Sequence, residues 1–203
     1  MNLQKRKIRW GVLGYARIAR VEIIPAILRA ENSEFHALAS RDGEKLVAAR
    51  AQFPGVAKTF HGYEGLLRDP DVDAVYVPLP NALHREWTIR AAEHGKHVLV
   101  EKPAALNAAE CREMIAACAA NGVRLMEAFM YRHHPQTLKA KQLIDEGRLG
   151  KIFHYRAKFL QDWTINADVP QGGPGTWRLD ASIAGSGVTG DLLAHCWISI
   201  WKI

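Results

Sequence analysis

The sequence predicts an α/β protein that begins with a doubly wound, parallel sheet. Short apolar runs recur along residues 1–128, helical periodicity fills the stretches between them, and no internal repeat interrupts this order. Helical crossovers of this kind join parallel strands and are right-handed. The pattern changes after residue 128, and we expect a second, α+β domain over residues 129–203.

The apolar runs place six strands along the first domain. They are expected at residues 8–13, 35–39, 56–60, 73–77, 97–100 and 123–128, with helices at about 16–29, 42–52, 83–94 and 107–121. Pro25 should kink or restart the first helix, because proline has no backbone N–H. Asp42 and the pair Asn107/Glu110 are typical of helix starts, and Gly95 is typical of a helix end.

The second domain opens with a helix expected at residues 135–147. Residues 151–161 then alternate between apolar and basic side chains, which predicts a half-buried strand of an antiparallel sheet. A loop rich in Gly and Pro follows at 162–187, and a helix that carries His195 continues toward the last residue. Only one strand of a second sheet is evident, so we expect this domain to be incomplete and the chain to be a truncated product.

Composition and charge limit the possible functions. Hydrophobic residues make up 48% of the chain and charged residues 24%, which is typical of a globular protein, and no apolar run approaches the ~18 residues of a membrane helix. The net charge of +6 comes from dispersed basic residues, which argues against nucleic-acid binding and fits a surface that attracts phosphate. The three cysteines have no disulfide or metal spacing, which predicts reduced thiols in the cytoplasm.

The turn after the first strand carries a nucleotide-binding signal. Gly14, Ala16 and Ala19 stand where the dinucleotide fingerprint has its three small residues: at the tight turn, the pyrophosphate approach and the helix–strand contact. Backbone N–H groups at the helix start would hold the pyrophosphate. The alternative is an ordinary strand–helix turn, but the strand–turn–helix context favours nucleotide binding.

The end of the second strand indicates which dinucleotide is bound. An acid at this place binds the ribose of NAD, whereas an arginine accommodates the 2′-phosphate of NADP. Ser40 and Arg41 suit a phosphate, and the charge of Asp42 would oppose one if it faced inward. The alternative for Asp42 is the helix cap already named. We therefore expect NADP as the preferred cofactor and NAD as the second choice.

A lysine follows the fifth strand directly. The apolar run 97–100 stops at Glu101, Lys102 and Pro103, and open α/β sheets bind their ligands at such strand ends. Lys102 could hydrogen-bond a substrate hydroxyl and stabilise alkoxide charge as hydride leaves the carbon. The alternative is a surface lysine in a turn.

Asp191 and His195 are four residues apart, which places them on one face of a helix. His195 is suited to accept a hydroxyl proton near neutral pH, and Asp191 could orient the imidazole or hold a second hydroxyl. The alternatives are a capping or surface pair, or two metal ligands; no third ligand has a credible spacing, so we expect no metal.

These motifs, taken together, resemble the Gfo/Idh/MocA oxidoreductases, the family of glucose–fructose oxidoreductase and inositol dehydrogenase. The resemblance rests on residues 11–19, 71–81, His84, 101–103 and 190–195, and extends over about 7–195. Residues 127–136 are similar to the branch with dihydrodiol dehydrogenases and NADP-dependent sugar dehydrogenases. The resemblance implies a Rossmann domain followed by an open, largely antiparallel sheet, and hydride transfer between the nicotinamide and a secondary alcohol of a sugar, polyol or diol.

The resemblance also implies roles for individual residues. Lys102 matches the lysine that binds the reacting hydroxyl, His195 matches the proton acceptor, and Asp191 matches the acid before it. The implied cofactor-binding positions are Gly11, Gly14, Tyr15, Ala16, Arg17, Ile18, Ser40, Arg41, Pro80, Asn81, His84, Glu101, Lys102, Trp177 and Arg178.

Two other functions remain open from the sequence. One is a nucleotide-binding remnant without turnover, because the substrate domain is incomplete. The other is an NAD-dependent glycoside hydrolase on the same fold. The expected partners are a small sugar or polyol and, for a longer form, a second copy of the chain; no membrane or nucleic acid is expected.

Overall fold

A computed structural model describes residues 6–161, 176–187 and 189–196 of the 203-residue chain. The chain divides into two compact units, Met1–Glu127 and Ala128–Ile203. Among the described residues, no helix combines the length and hydropathy that a bilayer span requires.

The first unit is built on a six-stranded parallel sheet, which confirms the predicted α/β class. Its strands are β1 (Ile8–Leu13), β2 (Ser33–Ser40), β3 (Lys58–His61), β4 (Ala74–Val77), β5 (His97–Val100) and β6 (Leu125–Glu127). They lie in the order β3-β2-β1-β4-β5-β6, and every neighbouring pair is parallel. The order reverses direction between β1 and β4, and ligands of such sheets bind at the carboxyl ends of the strands beside that reversal.

Helices connect the strands of this sheet. They are α1 (Ile24–Arg29), α2 (Gly43–Gln52), α3 (Glu64–Leu67), α4 (His84–Glu93) and α5 (Ala108–Ala120). The core that they cover is apolar and nearly solvent-free, and includes Leu13, Val75, Val77, Val100 and Met114. Burial on this scale is the main stabilising contribution of the sheet.

The first helix was predicted to kink or restart at Pro25, but it runs without a break from Arg17 to Arg29 and only its hydrogen-bonding pattern changes. Residues Ala19–Ile23 form a π-helical turn in which the N–H of Ile24 donates to the carbonyl of Ala19. α1 continues from this turn, so the π-helical turn lies directly before Pro25, the residue that has no N–H to donate to the preceding turn.

The predicted capping residues also lie at helix starts. The carboxylate of Asp42 accepts from the N–H groups of Glu44 and Lys45, at 3.0 and 3.3 Å. The side chain of Asn107 accepts from the N–H of Glu110 at 3.0 Å, and Glu110 in turn accepts from Leu106 at 3.0 Å. Each cap satisfies N–H groups that the first helical turn cannot pair internally.

The second unit contains helices α6 (Pro135–Asp145) and α7 (Ala181–Ala184), with shorter turns at Met130–His133, Thr176–Leu179 and Thr189–Leu193. The predicted strand at 151–161 was wrong: residues 152–161 adopt no regular secondary structure, and Phe153 is 84% exposed. A strand needs a partner for its ladder, and none pairs with this segment among the residues that the structure describes. Most of the expected loop, 162–175, and the chain after Cys196 lie outside the described residues.

Candidate functional site

Gly14 forms the tight turn between β1 and the first helix. Its φ is +101°, a conformation that side-chain-bearing residues rarely adopt, and its N–H donates to the carbonyl of Ala39 at 2.7 Å. A Cβ atom here would lie 3.1 Å from Cδ2 of Leu79. The turn therefore requires glycine for backbone conformation and for the close approach of the loop after β4.

Gly11 has a packing role inside β1. A Cβ atom at this position would lie 2.6 Å from Cδ2 of Leu66, which belongs to α3. The structure thus places Gly11 under the α3 helix, three residues before the turn that it was expected to share with Gly14.

The residues after Gly14 enter the first helical turn. Tyr15 is buried and its hydroxyl donates to the side chain of Gln52; burial raises the pKa of this hydroxyl. Ala16 is half-buried, whereas Arg17 and Ile18 are exposed. Because the chain becomes helical at Arg17, the N–H groups of this turn face the region beside Gly14.

The three polar residues at and after the end of β2 have different roles. Ser40 is buried, and its Oγ accepts from the N–H of Asp42 at 3.1 Å. The carboxylate of Asp42 caps α2, as the alternative interpretation predicted. Arg41 is exposed, and its guanidinium carbon lies 5.8 Å from the centre of the Tyr63 ring. The cationic group is therefore the one that remains presented to a ligand at this strand end.

His84 holds two loops of the candidate site together. It is fully buried; its Nδ1 lies 2.9 Å from the carbonyl oxygen of Pro103 and its Nε2 lies 2.8 Å from that of Leu79. Burial lowers the pKa of His84, and the two carbonyl oxygens oppose this effect. Since both ring nitrogens contact backbone carbonyl oxygens, the structure gives His84 a positioning role, and its expected place along the cofactor cleft stays a prediction.

The residues before His84 lie in the same loop. Pro80 precedes the turn Asn81–Leu83, and its carbonyl accepts from the N–H of Leu83 at 2.8 Å. Asn81 is buried at the start of this turn. Both residues thus line the loop after β4, whose Leu79 contacts the Gly14 turn.

Lys102 follows β5 at the carboxyl edge of the sheet, and is half-buried. The neighbouring Glu101 is fixed: its Oε1 accepts from the hydroxyl of Tyr76 at 2.5 Å, and its Oε2 accepts from the N–H of Lys102 at 3.2 Å. Burial raises the pKa of Tyr76 well above its usual range, so the hydroxyl stays protonated as a donor. The Lys102–Pro103 peptide bond is cis.

In the second unit, aromatic rings surround His195. The ring of Phe159 stacks on the imidazole at 4.3 Å and 28°, and the rings of Phe129 and Tyr131 meet it edge-on at 6.0 and 5.4 Å. Such packing fixes the plane of the imidazole. The ring of Tyr131 also meets that of Phe159 edge-on, so these two rings contact each other as well as His195.

Asp191 lies beside an arginine of the same unit. Nε of Arg178 is 3.8 Å from Oδ2 of Asp191, and the guanidinium of Arg178 lies 4.6 Å from the centre of the Trp177 ring. The structure thus brings together three of the residues that the sequence singled out in this unit.

Two contributors were missed by reasoning from the sequence, Tyr63 and Tyr76. Tyr76 could have been found, because a lone tyrosine in the apolar run 74–77 needs a partner for its hydroxyl. Tyr63 gave no local signal, since its neighbours Arg41 and Trp87 are distant in the sequence.

A polar cluster lies elsewhere on the first unit. One side-chain atom each of His36, Asp69 and Asp71 lie within 4.8 Å of one another, a spacing open to a metal. The ammonium of Lys58, however, is 2.9 Å from the carboxylate of Asp69 and 2.8 Å from that of Asp71. A protein cation thus already supplies the positive charge; with Arg9 it lowers the pKa of Asp71 to about 2.

Comparison with protein families adds two matches. The family described as "Oxidoreductase family, NAD-binding Rossmann fold" matches residues 8–129. The domain described as "GFO/IDH/MocA C-terminal domain" matches residues 137–200.

Individual proteins match over most of the chain. D-xylose 1-dehydrogenase (NADP(+)) 2 of Haloferax volcanii is 40% identical over 179 residues, which are 88% of this chain and 52% of that protein. A dTDP-3,4-didehydro-2,6-dideoxy-alpha-D-glucose 3-reductase of Actinomadura kijaniata is 38% identical, over 88% of this chain and 51% of that protein. The chain spans about half the length of the curated relatives it matches.

Solved structures show the same similarity. The aldose-aldose oxidoreductase of Caulobacter crescentus, complexed with glycerol, has a TM-score of 0.80 and 31% identity, covering 97% of this chain and 57% of that one. KijD10, a 3-ketoreductase of Actinomadura kijaniata in complex with NADP and TDP-benzene, has a TM-score of 0.75 and 36% identity, covering 92% of this chain and 54% of that one.

Proposed function

The chain belongs to the Gfo/Idh/MocA oxidoreductase family, and from this premise we propose that it transfers a hydride between a nicotinamide cofactor and a secondary alcohol of a sugar, polyol or related diol. One observation carries the proposal: the Gly14 turn lies so near Leu79 that a Cβ atom there would be 3.1 Å from it, and His84 joins Leu79 to the loop of Lys102. A dinucleotide turn and a lysine suited to alcohol chemistry therefore belong to one connected edge of the sheet.

The proposed cofactor is NADP, with NAD as the second choice. The Gly14 turn fits a dinucleotide, because it is a tight glycine turn, with φ at +101°, that leads from a parallel strand directly into a helix. At the end of β2, Arg41 is presented to a ligand while Asp42 caps a helix. The names of the Haloferax xylose dehydrogenase and of the KijD10 complexes also specify NADP.

We assign the proton and hydroxyl chemistry to three residues of this chain. Lys102 would hydrogen-bond the reacting hydroxyl and stabilise negative charge on its oxygen. His195 would accept the hydroxyl proton, with its ring plane held by aromatic packing. Asp191, beside Arg178, would hold or orient a second polar group. The nicotinamide supplies the hydride chemistry when bound.

The remaining proposed cofactor contacts follow the geometry. The first-turn N–H groups near Ala16 and Arg17 would hold the pyrophosphate. Ser40 and Arg41 would meet the adenosine ribose, and the loops of Pro80 and Glu101 would border the nicotinamide. Tyr15, Ile18 and Asn81 complete these walls, and Trp177 and Arg178 are proposed to contribute from the second unit.

A cytoplasmic location is part of the proposal. The three cysteines are free thiols, and burial raises the thiol pKa of Cys111 and of Cys118. A raised pKa keeps a thiol protonated and unreactive, which fits a reducing compartment. The expected pairing of a longer form with a second copy stays a prediction.

The test begins with cofactor binding to the purified 203-residue chain. NADPH and NADH are titrated separately by their fluorescence, and a panel of sugars and polyols is then followed at the nicotinamide absorbance. We expect NADPH to bind more tightly than NADH and at least one alcohol of the panel to be oxidised. Binding without turnover would favour a silent nucleotide-binding protein, glycoside cleavage without net cofactor reduction would favour the hydrolase, and no binding would refute the proposal.

A further inference from the structure

We propose that Tyr63 is a specificity-determining residue for the cofactor: its ring holds the guanidinium of Arg41 where the 2′-phosphate of NADP is recognised. The inference rests on the proposed function, because it concerns the same cofactor site. It assigns the choice between NADP and NAD to a pair of residues rather than to Arg41 alone.

The ring of Tyr63 is held firmly. Tyr63 precedes α3 and is 7% exposed. Its ring meets that of Trp87 edge-on, with centres 4.8 Å apart and an interplanar angle of 80°. A buried ring with such a neighbour has one orientation, so it offers a fixed face to whatever lies over it.

Tyr63 also lies beside the turn that the cofactor requires. Its hydroxyl oxygen is 4.0 Å from the place that a Cβ atom would take at Gly14. On the other side, the N–H of Gly62 donates to the carbonyl of Ser40 at 2.9 Å, which ties the segment before Tyr63 to the end of β2. Tyr63 therefore connects the Gly14 turn with the strand end that carries Arg41.

The guanidinium of Arg41 lies over this fixed ring, with 5.8 Å between its carbon and the ring centre. That distance is within the range of a cation–π interaction. The carboxylate of Asp42, the next residue in the chain, accepts hydrogen bonds from N–H groups of α2, so this acid is directed to the helix start. The aromatic face thus orients a cation on an exposed loop.

The ring should favour NADP over NAD specifically. An arginine side chain loses rotamer freedom when it binds a phosphate, and a ring that already restricts the guanidinium reduces this loss. NAD has no 2′-phosphate, so it gains nothing from the restriction. The ratio of the two dissociation constants therefore isolates the effect of Tyr63, while general damage to the site would weaken both dinucleotides.

The experiment is a double-mutant cycle on the purified 203-residue chain, with dissociation constants for NADP and NAD measured by calorimetry. Tyr63→Phe keeps the ring and should keep the ratio. Tyr63→Leu should lower the preference for NADP by about two- to fivefold, the range of an exposed cation–π pair. In an Arg41→Ala background, where the preference has already fallen, Tyr63→Leu should leave the ratio unchanged.

Arg90→Ala is the matched control for charge. The guanidinium of Arg90 lies 5.1 Å from the centre of the Trp87 ring, on the same aromatic pair. Removing it takes away an equal charge without touching Arg41, so the NADP-to-NAD ratio should not change.

An NADP preference that is unchanged in Tyr63→Leu would overturn the inference. It would also be overturned if Tyr63→Leu lowered the preference equally in the Arg41→Ala background. If Tyr63→Leu fails to fold, pentafluorophenylalanine at position 63 is compared with Tyr63→Phe; the fluorinated ring has the same shape and a reversed quadrupole, and must lower the ratio. Failure of the parent chain to bind either dinucleotide refutes the proposed function and this inference together. NADP preference in the parent with no effect of Tyr63 refutes the inference alone.

Discussion

At the scale of single residues, position 14 requires glycine because of its backbone conformation. Gly14→Ala should destabilise the protein by about 1–3 kcal/mol, because alanine is strained at φ +101° and its methyl group would meet Leu79. Urea unfolding measures the change. Gly43→Ala is the control: a Cβ there meets no atom within 4 Å, and alanine at this helix start should be neutral or stabilising. Equal effects of the two variants would contradict this account of Gly14.

Lys102 is expected to act in the reaction and not in holding the fold. Lys102→Ala should abolish turnover while cofactor binding stays within a few-fold, because the lysine is assigned to the reacting hydroxyl. Steady-state assays and NADPH titration of the same preparation measure both. A loss of cofactor binding as large as the loss of turnover would instead make the lysine structural.

At the scale of secondary-structure elements, the start of α2 decides the meaning of Asp42. Asp42→Ala should lower the free energy of unfolding by about 1 kcal/mol, since it removes a cap that accepts from two N–H groups. The ratio of NADP to NAD affinity should not shift toward NADP, because the carboxylate is bound to the helix. Thermal unfolding and cofactor titration measure the two effects, and a selective loss of NAD binding would make Asp42 a ribose ligand.

The ion pairs between β1, β3 and the loop before β4 predict a response to acid. Lys58, with Arg9, lowers the pKa of Asp71 from 3.8 to about 2. A lowered native pKa stabilises the fold above about pH 4, and this contribution is lost as the pH falls toward 2. The urea midpoint should therefore fall over that window.

Either partner of the Lys58–Asp71 ion pair can be substituted to test this response. Asp71→Asn and Lys58→Met should each make the urea midpoint less dependent on pH between about 4 and 2, because neither retains the pair. Wild-type dependence in both variants would mean that other carboxylates carry the acid response.

The strands show which elements sequence reasoning can locate. β1 and β5 have the predicted bounds, because their apolar runs end at Gly14 and at the Glu101–Pro103 segment. β2 begins two residues earlier than predicted, at polar Ser33, because Ser33 pairs with Ile8 of the neighbouring strand. Local polarity does not predict the start of a strand where pairing with a neighbouring strand sets that boundary.

The segment 151–161 shows the opposite error. Its alternation satisfies the period of a strand, yet residues 152–161 have no strand structure. Alternation indicates which faces a strand would present but not whether a partner is there to pair with it. At the site, the proline after Lys102 correctly predicted the end of β5. The contact between the His84 ring and the carbonyl of Pro103 could not be predicted, because it joins residues 19 positions apart and has no local pattern.

At the scale of the whole molecule, cofactor binding should stabilise the chain against unfolding. A ligand that binds only the native state adds about 2.7 kcal/mol at a hundred times its dissociation constant. NADP at that excess should therefore raise the unfolding midpoint, and NAD at the same concentration should raise it less. Scanning calorimetry compares the two, and an equal rise would remove the cofactor preference.

The strand order has a consequence for synthesis. β1 is synthesised before the other five strands of this sheet; it gains β2 and β3 on one side within residues 33–61, but its other edge stays bare until β4 emerges at 74–77. During that interval a nascent chain displays an apolar strand with unpaired N–H and C=O groups, the form of peptide that holdase chaperones grasp. Translation of the segment 74–77 is therefore the step that covers this edge of β1.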